Sequence, residues 1–377
     1  MRLLGLLALG HLVIDTNQGA LPAVLPFLRT ALGLSYVATG TIVLMASVTS
    51  SLVQPLFGHL ADRAARRWLL PLSVLLSSVG IALMGLASSY GLVLLLVVIS
   101  GVGIAAYHPE GYRTAGRVAG DRKATGLSIF ATGGNIGISL GPPITTALVT
   151  GFDLIGSLGL LLPGVLVALL LTAALPRLSV PPPRGPGAAT SASRTMVGAM
   201  TLLVLVVTLR SWAQLGFTTF VPFYHVDVLK GDPSVIGTLL FVFLGVGAVG
   251  TLCAGPIADR VSVRRYVVGA LFLAPPLAIA FLLARGVLSF ILLGALGFAL
   301  VSAFTMSIVL AQAYMPRNPG MASGLIVGLA IGAGGLGVTV LGWVADHLGL
   351  LSALWISALM PLVGFVVALF LPEPRRD

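Results

Sequence analysis

The 377-residue chain is 57% hydrophobic and only 8% charged. An ordinary soluble domain carries about 25% charged residues, so a water-exposed globule is excluded, and disorder, which needs low hydrophobicity and high charge, is excluded with it. A mean hydropathy of +1.08 leaves a polytopic membrane protein, whose net charge of +10 reflects Lys and Arg on cytoplasmic loops rather than affinity for nucleic acid.

Twelve apolar runs follow one another, at approximately 4–28, 38–60, 68–88, 92–115, 124–149, 154–175, 197–222, 235–257, 267–284, 288–312, 322–345 and 351–371. Each reaches the ~20 residues that a span requires, and only helices satisfy their own backbone in lipid. With the N-terminus inside, 16 of the 21 Lys and Arg fall on cytoplasmic segments and three outside. That asymmetry sets the orientation and puts both termini in the cytoplasm. The first run is expected to remain as a span, because His11 and Asp15 interrupt it and no small-residue cleavage site follows. The single cysteine, Cys253, permits no intrachain disulfide.

Run one carries His11, Asp15, Asn17 and Gln18. His11, Asp15 and Gln18 share a helix face, and Asp15 sits ~18 Å in from Leu3 at 1.5 Å per residue, near the midplane. An intramembrane carboxylate is a functional candidate by default; a permanent pairing that only holds helices together is the bland alternative. Run two ends in GHLADRAARR, where Gly58 permits close approach and Asp62 stands with Arg63 and Arg67 before the next span. Run four holds YHPEGYRTAGR: Tyr107, His108, Glu110 and Arg113 beside Pro109, which removes a backbone bond and is expected to break the helix there. Glu110 and Arg113 have pairing distance along a helix, and His108 titrates near neutrality. Run five reads TGGNIGISLGPP, with Asn135, glycines 137 and 141, and Pro142. Glycines four apart let helices touch.

A Pro-, Gly- and Ser-rich stretch, 177–196, then reads as a flexible cytoplasmic linker between a bundle at 1–176 and a second at 197–377. Run seven places Arg210 ~20 Å beyond Met196. A guanidinium at that depth needs an anionic partner, from Asp15, Glu110 or a substrate, and Gln214 and Phe217 continue its face. Run eight ends in GPIADRVSVRR: Gly255, Asp259 and Arg260 repeat Gly58, Asp62 and Arg63 at a spacing of 197 positions. The duplicated loop reads as a two-state latch rather than as topology-setting charges alone.

Two homologous six-helix halves joined by a cytoplasmic linker resemble the major facilitator superfamily over the whole chain. The fold expected is all-α, with twelve spans in two pseudo-symmetric bundles. Gly58, Asp62, Arg63 and Arg67 resemble the superfamily's signature loop, with Ala65 where the family usually has Gly. Gly137, Gly141 and Pro142 resemble the motif of its proton-coupled drug antiporters, although Thr145 and Thr146 replace a terminal Gly-Gly. Segments 11–28, 107–111, 133–143 and 210–224 together resemble its fosmidomycin-resistance family.

The resemblance implies a monomeric exporter of the bacterial inner membrane. It would exchange an outward-moving drug for an inward proton at a site between the halves. Asp15, Glu110, His108 and His11 are then the proton-coupling candidates. Arg210, Arg113, Gln214, Asn17, Gln18, Asn135, Tyr107 and Phe217 are the substrate candidates, with a small anionic molecule expected because arginine matches phosphonate geometry. No cofactor or metal is expected: no nucleotide-binding loop is visible, and His11 with Asp15 alone offers too few ligands. Three other readings stay open, namely a proton symporter or uniporter for a metabolite, a membrane-embedded enzyme, and a non-transporting sensor.

Overall fold

The computed structural model describes residues 2–54, 56–57, 66–120, 123–178, 196–315 and 319–374. Among these the regular structure is helical throughout, with no strand. Among the described residues, nine helical stretches are long and apolar enough to cross a membrane. The helices over 2–32 and 123–152 are equally long but lie outside those nine. They carry the His, Asp, Asn, Thr and Gly residues that lower their mean hydropathy. Such polar content is tolerated when it faces protein instead of lipid.

The chain divides into two compact units. The first comprises the described residues of Met1–Ser35, Met45–Gly185 and Lys230–Thr238. Its helices are α1 (Arg2–Leu32), the end of α2 (Tyr36–Ser47), α3 (Leu69–Ala82), α4 (Tyr90–Ala119), α5 (Lys123–Phe152) and α6 (Leu161–Ala174). Leu7, Ile14, Val74, Tyr107, Phe130 and Leu171 form its buried core.

The most extensive packing in this unit is between α1 and α5. Lipid supplies no hydrophobic drive for helix association, so close backbone approach through small residues must supply it. Gly133, Gly137 and Gly141 lie against the carbonyls of Ala8, Leu12 and Thr16, one contact per turn with both chains advancing together. A Cβ at Gly137 would overlap the Leu12 carbonyl. Gly137→Ala is therefore expected to destabilise the protein by about 1–3 kcal/mol through overpacking, read as a lower Tm of the purified transporter. Gly91→Ala, where nothing lies within 4 Å, serves as the control. Equal Tm values for the two variants would refute the close contact.

α4 corrects one expectation: it runs unbroken for 30 residues through Pro109. Ser89 caps its start by accepting from the Leu92 amide at 3.3 Å. The proline removes one amide donor, but the surrounding packing keeps the helix continuous.

The second unit comprises the described residues of Tyr36–Leu44, Pro186–Leu229 and Leu239–Asp377. It holds the start of α2 with α7 (Val197–Phe223), α8 (Ile236–Val261), α9 (Val263–Leu283), α10 (Val287–Tyr314), α11 (Ile331–Leu348) and α12 (Leu350–Leu369). Leu203, Val207, Leu310, Tyr314 and Ile326 belong to its core. The first turn of α2 is part of this unit for an identifiable reason. The Asp346 carboxylate accepts from the amides of Tyr36 and Val37, each at 2.8 Å, while the Tyr36 hydroxyl donates to Asp227 at 2.6 Å. Those two amides lack intrahelical partners, and an anion is favoured at a helix N-terminus.

Candidate functional site

In the first unit, α1 turns His11 and Asp15 to one face, as their spacing requires. His11 Nε2 lies 3.3 Å from Asp15 Oδ2. The tertiary fold adds what spacing could not: α4 brings His108 Nε2 to 3.2 Å from Asp15 Oδ1. All three residues are shielded, His11 and Asp15 at 3% and 9% exposure and His108 half-buried. Each imidazole is held from behind. His11 Nδ1 meets the Phe130 carbonyl of α5 at 2.8 Å, and its ring stacks on Phe130 with centroids 4.3 Å apart. His108 Nδ1 meets the Ile104 carbonyl at 2.9 Å. Gly134 of α5 makes the space, since a Cβ there would overlap both His11 and Asp15.

Two residues beyond His108, and so turned to another side of α4, Glu110 is 1% exposed. Its carboxylate accepts from Arg113 at 3.4 Å and from the Thr114 hydroxyl at 3.3 Å. The pairing expected along α4 is therefore present. Gln18 is exposed and Asn135 half-buried.

Two substrate candidates of this unit make helix–helix contacts. Asn17 is 1% exposed and donates to the hydroxyls of Ser77 and Ser78 at 3.1 and 2.8 Å, tying α1 to α3. Tyr107 is fully buried and donates to the Leu7 carbonyl at 2.7 Å, tying α4 to α1. In both cases a buried polar group has spent its donors on neighbouring helices and has none for a ligand. The serine pair was invisible as a partner because serines in an apolar run carry no sequence signal.

In the second unit, Arg210 is 4% exposed on α7. Its Nε donates to the Leu300 carbonyl at 2.6 Å, a terminal nitrogen donates to Gln214, and its guanidinium carbon sits 5.0 Å over the Phe304 ring. Among the described residues no carboxylate pairs with it. A buried cation held only by neutral partners retains capacity for an anion. Gln214 thus shares the site, as its position one turn on anticipates. Phe217 does not: it is 1% exposed and packed beside Phe243 and Phe281. Trp212, by contrast, donates to the Ala333 carbonyl at 2.9 Å and lies over Gly337, joining α7 to α11.

Of the latch residues, Gly58, Asp62 and Arg63 lie outside the described residues, and Arg67 is half-buried just before α3. Asp259 and Arg260 are exposed at the end of α8, with no ion pair among the described residues. Their neighbours do the anchoring. Arg264 donates to the carbonyls of Leu369 and Leu371 and, with Arg265, stands 3.9 Å from Glu373. The antiporter-type residues Gly137, Gly141 and Pro142 are buried, the two glycines in the α1–α5 contact described above.

The family model of the Major Facilitator Superfamily matches residues 7–335 and 215–377. The chain is 32% identical to the fosmidomycin resistance protein of Escherichia coli (strain K12), over 99% of this chain and 93% of that protein. It is 31% identical to the uncharacterized MFS-type transporter YfnC of Bacillus subtilis (strain 168), over 97% and 91% of the two. Among solved structures, a bacterial homologue of the human lysosomal transporter Spinster, inward-facing and occupied, superposes with a TM-score of 0.80 at 17% identity, covering 99% of this chain and 97% of that one. The nucleoside transporter NupG superposes with a TM-score of 0.76 at 15% identity over 98% and 99%.

Proposed function

Because the chain belongs to the major facilitator superfamily, and is thus a multi-pass membrane transporter rather than an enzyme, we propose that it is a proton-coupled antiporter exporting a small anionic compound of the fosmidomycin type. The observation that carries this reading is the buried Asp15 carboxylate with one histidine on each oxygen. Imidazoles are the side chains whose ordinary titration falls in the physiological range, and here two of them flank one carboxylate. Arg210 supports the anionic substrate: a guanidinium with neutral partners gains most from a ligand that brings its own charge. The same reading takes the chain across the inner membrane of a bacterium twelve times, as a monomer with both termini cytoplasmic, in keeping with the distribution of its basic residues.

The proposed cycle uses charges already in place. An anion entering from the cytoplasm binds Arg210, with Gln214 shared between arginine and ligand. Protons arriving from outside occupy the Asp15 cluster. A proton on Glu110 weakens its hold on Arg113, which then serves the anion as a second cation. The duplicated loops at 58–67 and 255–265 act as the latch between the two access states. Alternating access of this kind needs only that each ligand bind one state better than the other.

The reading is tested in proteoliposomes loaded with fosmidomycin. An inward proton gradient is expected to drive uphill efflux, and reversing the gradient is expected to reverse the flux. Flux that follows the protons in the same direction would make the protein a symporter, and flux indifferent to pH would make it a uniporter. A thermal-shift screen over phosphonates, hydrophobic cations and sugars is expected to single out the phosphonates. Stabilisation by the cations alone would overturn the anionic assignment.

A further inference from the structure

The hydrogen bonds around Asp15 contain a proton count. A backbone carbonyl can only accept. With His11 Nδ1 2.8 Å from the Phe130 carbonyl and His108 Nδ1 2.9 Å from the Ile104 carbonyl, each ring carries its hydrogen on Nδ1. In a neutral imidazole the other nitrogen is then a bare lone pair. Both lone pairs face a carboxylate that also only accepts, Nε2 of His11 at 3.3 Å from Oδ2 and Nε2 of His108 at 3.2 Å from Oδ1. That arrangement is repulsive. Oδ1 is moreover sealed from solvent with no aligned hydrogen bond, a costly state for an ionised oxygen. One added proton corrects one contact and leaves the other. Two protons correct both, and both carbonyl bonds survive.

We infer that the His11–Asp15–His108 cluster takes up two protons, one on each imidazole, with Asp15 remaining ionised between them as a shared counter-ion. This rests on the proton-coupling reading and adds its stoichiometry. The cluster passes from a net charge of −1 to +1, with nothing released. The carboxylate is the right bridge because it offers one oxygen to each ring. Protonating it instead would turn one of those oxygens into a weak acceptor and forfeit a charge-assisted bond.

The neighbouring titratable groups do not alter the count. Tyr107 of α4 donates its hydroxyl to the Leu7 carbonyl. Tyr112 of α4 presents its ring to His11 and Phe130. Glu110 faces Arg113 and Thr114. From α5 the cluster meets Phe130 and Gly134. The Ser77 and Ser78 hydroxyls of α3 accept from Asn17, and α6 carries no titratable side chain.

The count is tested by nitrogen-15 NMR of histidine-labelled transporter in lipid, with the three other histidines (His59, His225 and His347) replaced by Gln so that only the cluster reports. At about pH 5 both rings are expected to show imidazolium signals on both nitrogens, and at about pH 9 both are expected to be neutral with the hydrogen on Nδ1. In the unmutated protein, efflux driven by an inward proton gradient is expected to rise at least with the square of the proton concentration, two protons coming from the cluster and any further one from Glu110. A single imidazolium at low pH would overturn the count while leaving the coupling intact. Loss of all pH dependence would overturn the coupling itself. The neutral tautomers also suit a divalent transition metal, whose histidine ligands use the same carbonyl support. Stoichiometric zinc binding that a chelator reverses, and that removes both imidazolium signals, would overturn the proton assignment.

Discussion

Asp15→Asn is expected to reduce proton-driven efflux of fosmidomycin to the level of protein-free liposomes, while exchange of labelled for unlabelled fosmidomycin, with no gradient, continues. The physical basis is specific. Asparagine is nearly isosteric, so the α1–α5 contact through Gly133, Gly137 and Gly141 is preserved. The anion that makes a proton on either histidine favourable is gone, however, and an amide cannot bridge two imidazoliums. Glu110→Gln is expected to impair driven efflux as well, by a different route: Arg113 loses its charge partner at 3.4 Å in every state instead of only after protonation. The two assays together, driven efflux and exchange, separate coupling from binding. Undiminished driven efflux in both variants would remove the carboxylates from the mechanism.

Arg210→Gln is expected to weaken fosmidomycin binding by about 10- to 100-fold, the equivalent of roughly 1.5–3 kcal/mol for a hydrogen bond to a charged group. Calorimetry or ligand-induced thermal shift reads the effect, and a neutral amphiphile provides the comparison, since its binding is expected to be unchanged. Arg210→Lys keeps the charge but loses the planar fork. It is expected to fall between wild type and Gln. Equal affinity of all three proteins for fosmidomycin would place the anion elsewhere. Arg210 also anchors α7 to the Leu300 carbonyl of α10, so the Tm of each ligand-free variant is measured alongside. A loss of stability without a loss of affinity would mark the arginine as structural.

Much of the candidate site was legible in one dimension because helical spacing is short-range geometry. His11 and Asp15 are four residues apart and meet. Glu110 and Arg113 are three apart and meet. Arg210 and Gln214 are four apart and meet. The substrate candidates that the fold turns into helix contacts share one common reason. Periodicity identifies the face of a helix that avoids lipid, but it does not separate a face that lines water from one that lies against another helix. Asn17, Tyr107 and Phe217 are all on protein-facing surfaces, and all three are consumed by packing. Pro109 misled similarly: a missing amide is a local fact, whereas continuity of α4 depends on everything packed around it.

Composition and hydropathy by themselves determined that this is a helical membrane protein, because lipid permits few alternatives, and the 197-residue spacing of the duplicated loop raised the expectation of two related halves. Only the tertiary structure decided that His108 joins His11 on Asp15, that the Phe130 carbonyl orients the His11 ring, that Gly134 leaves the room, and that Asp346 and Asp227 hold the first turn of α2. These contacts join residues from 93 positions apart, for Asp15 and His108, to 310 apart, for Tyr36 and Asp346. No local periodicity specifies such pairs; they follow from how whole helices pack.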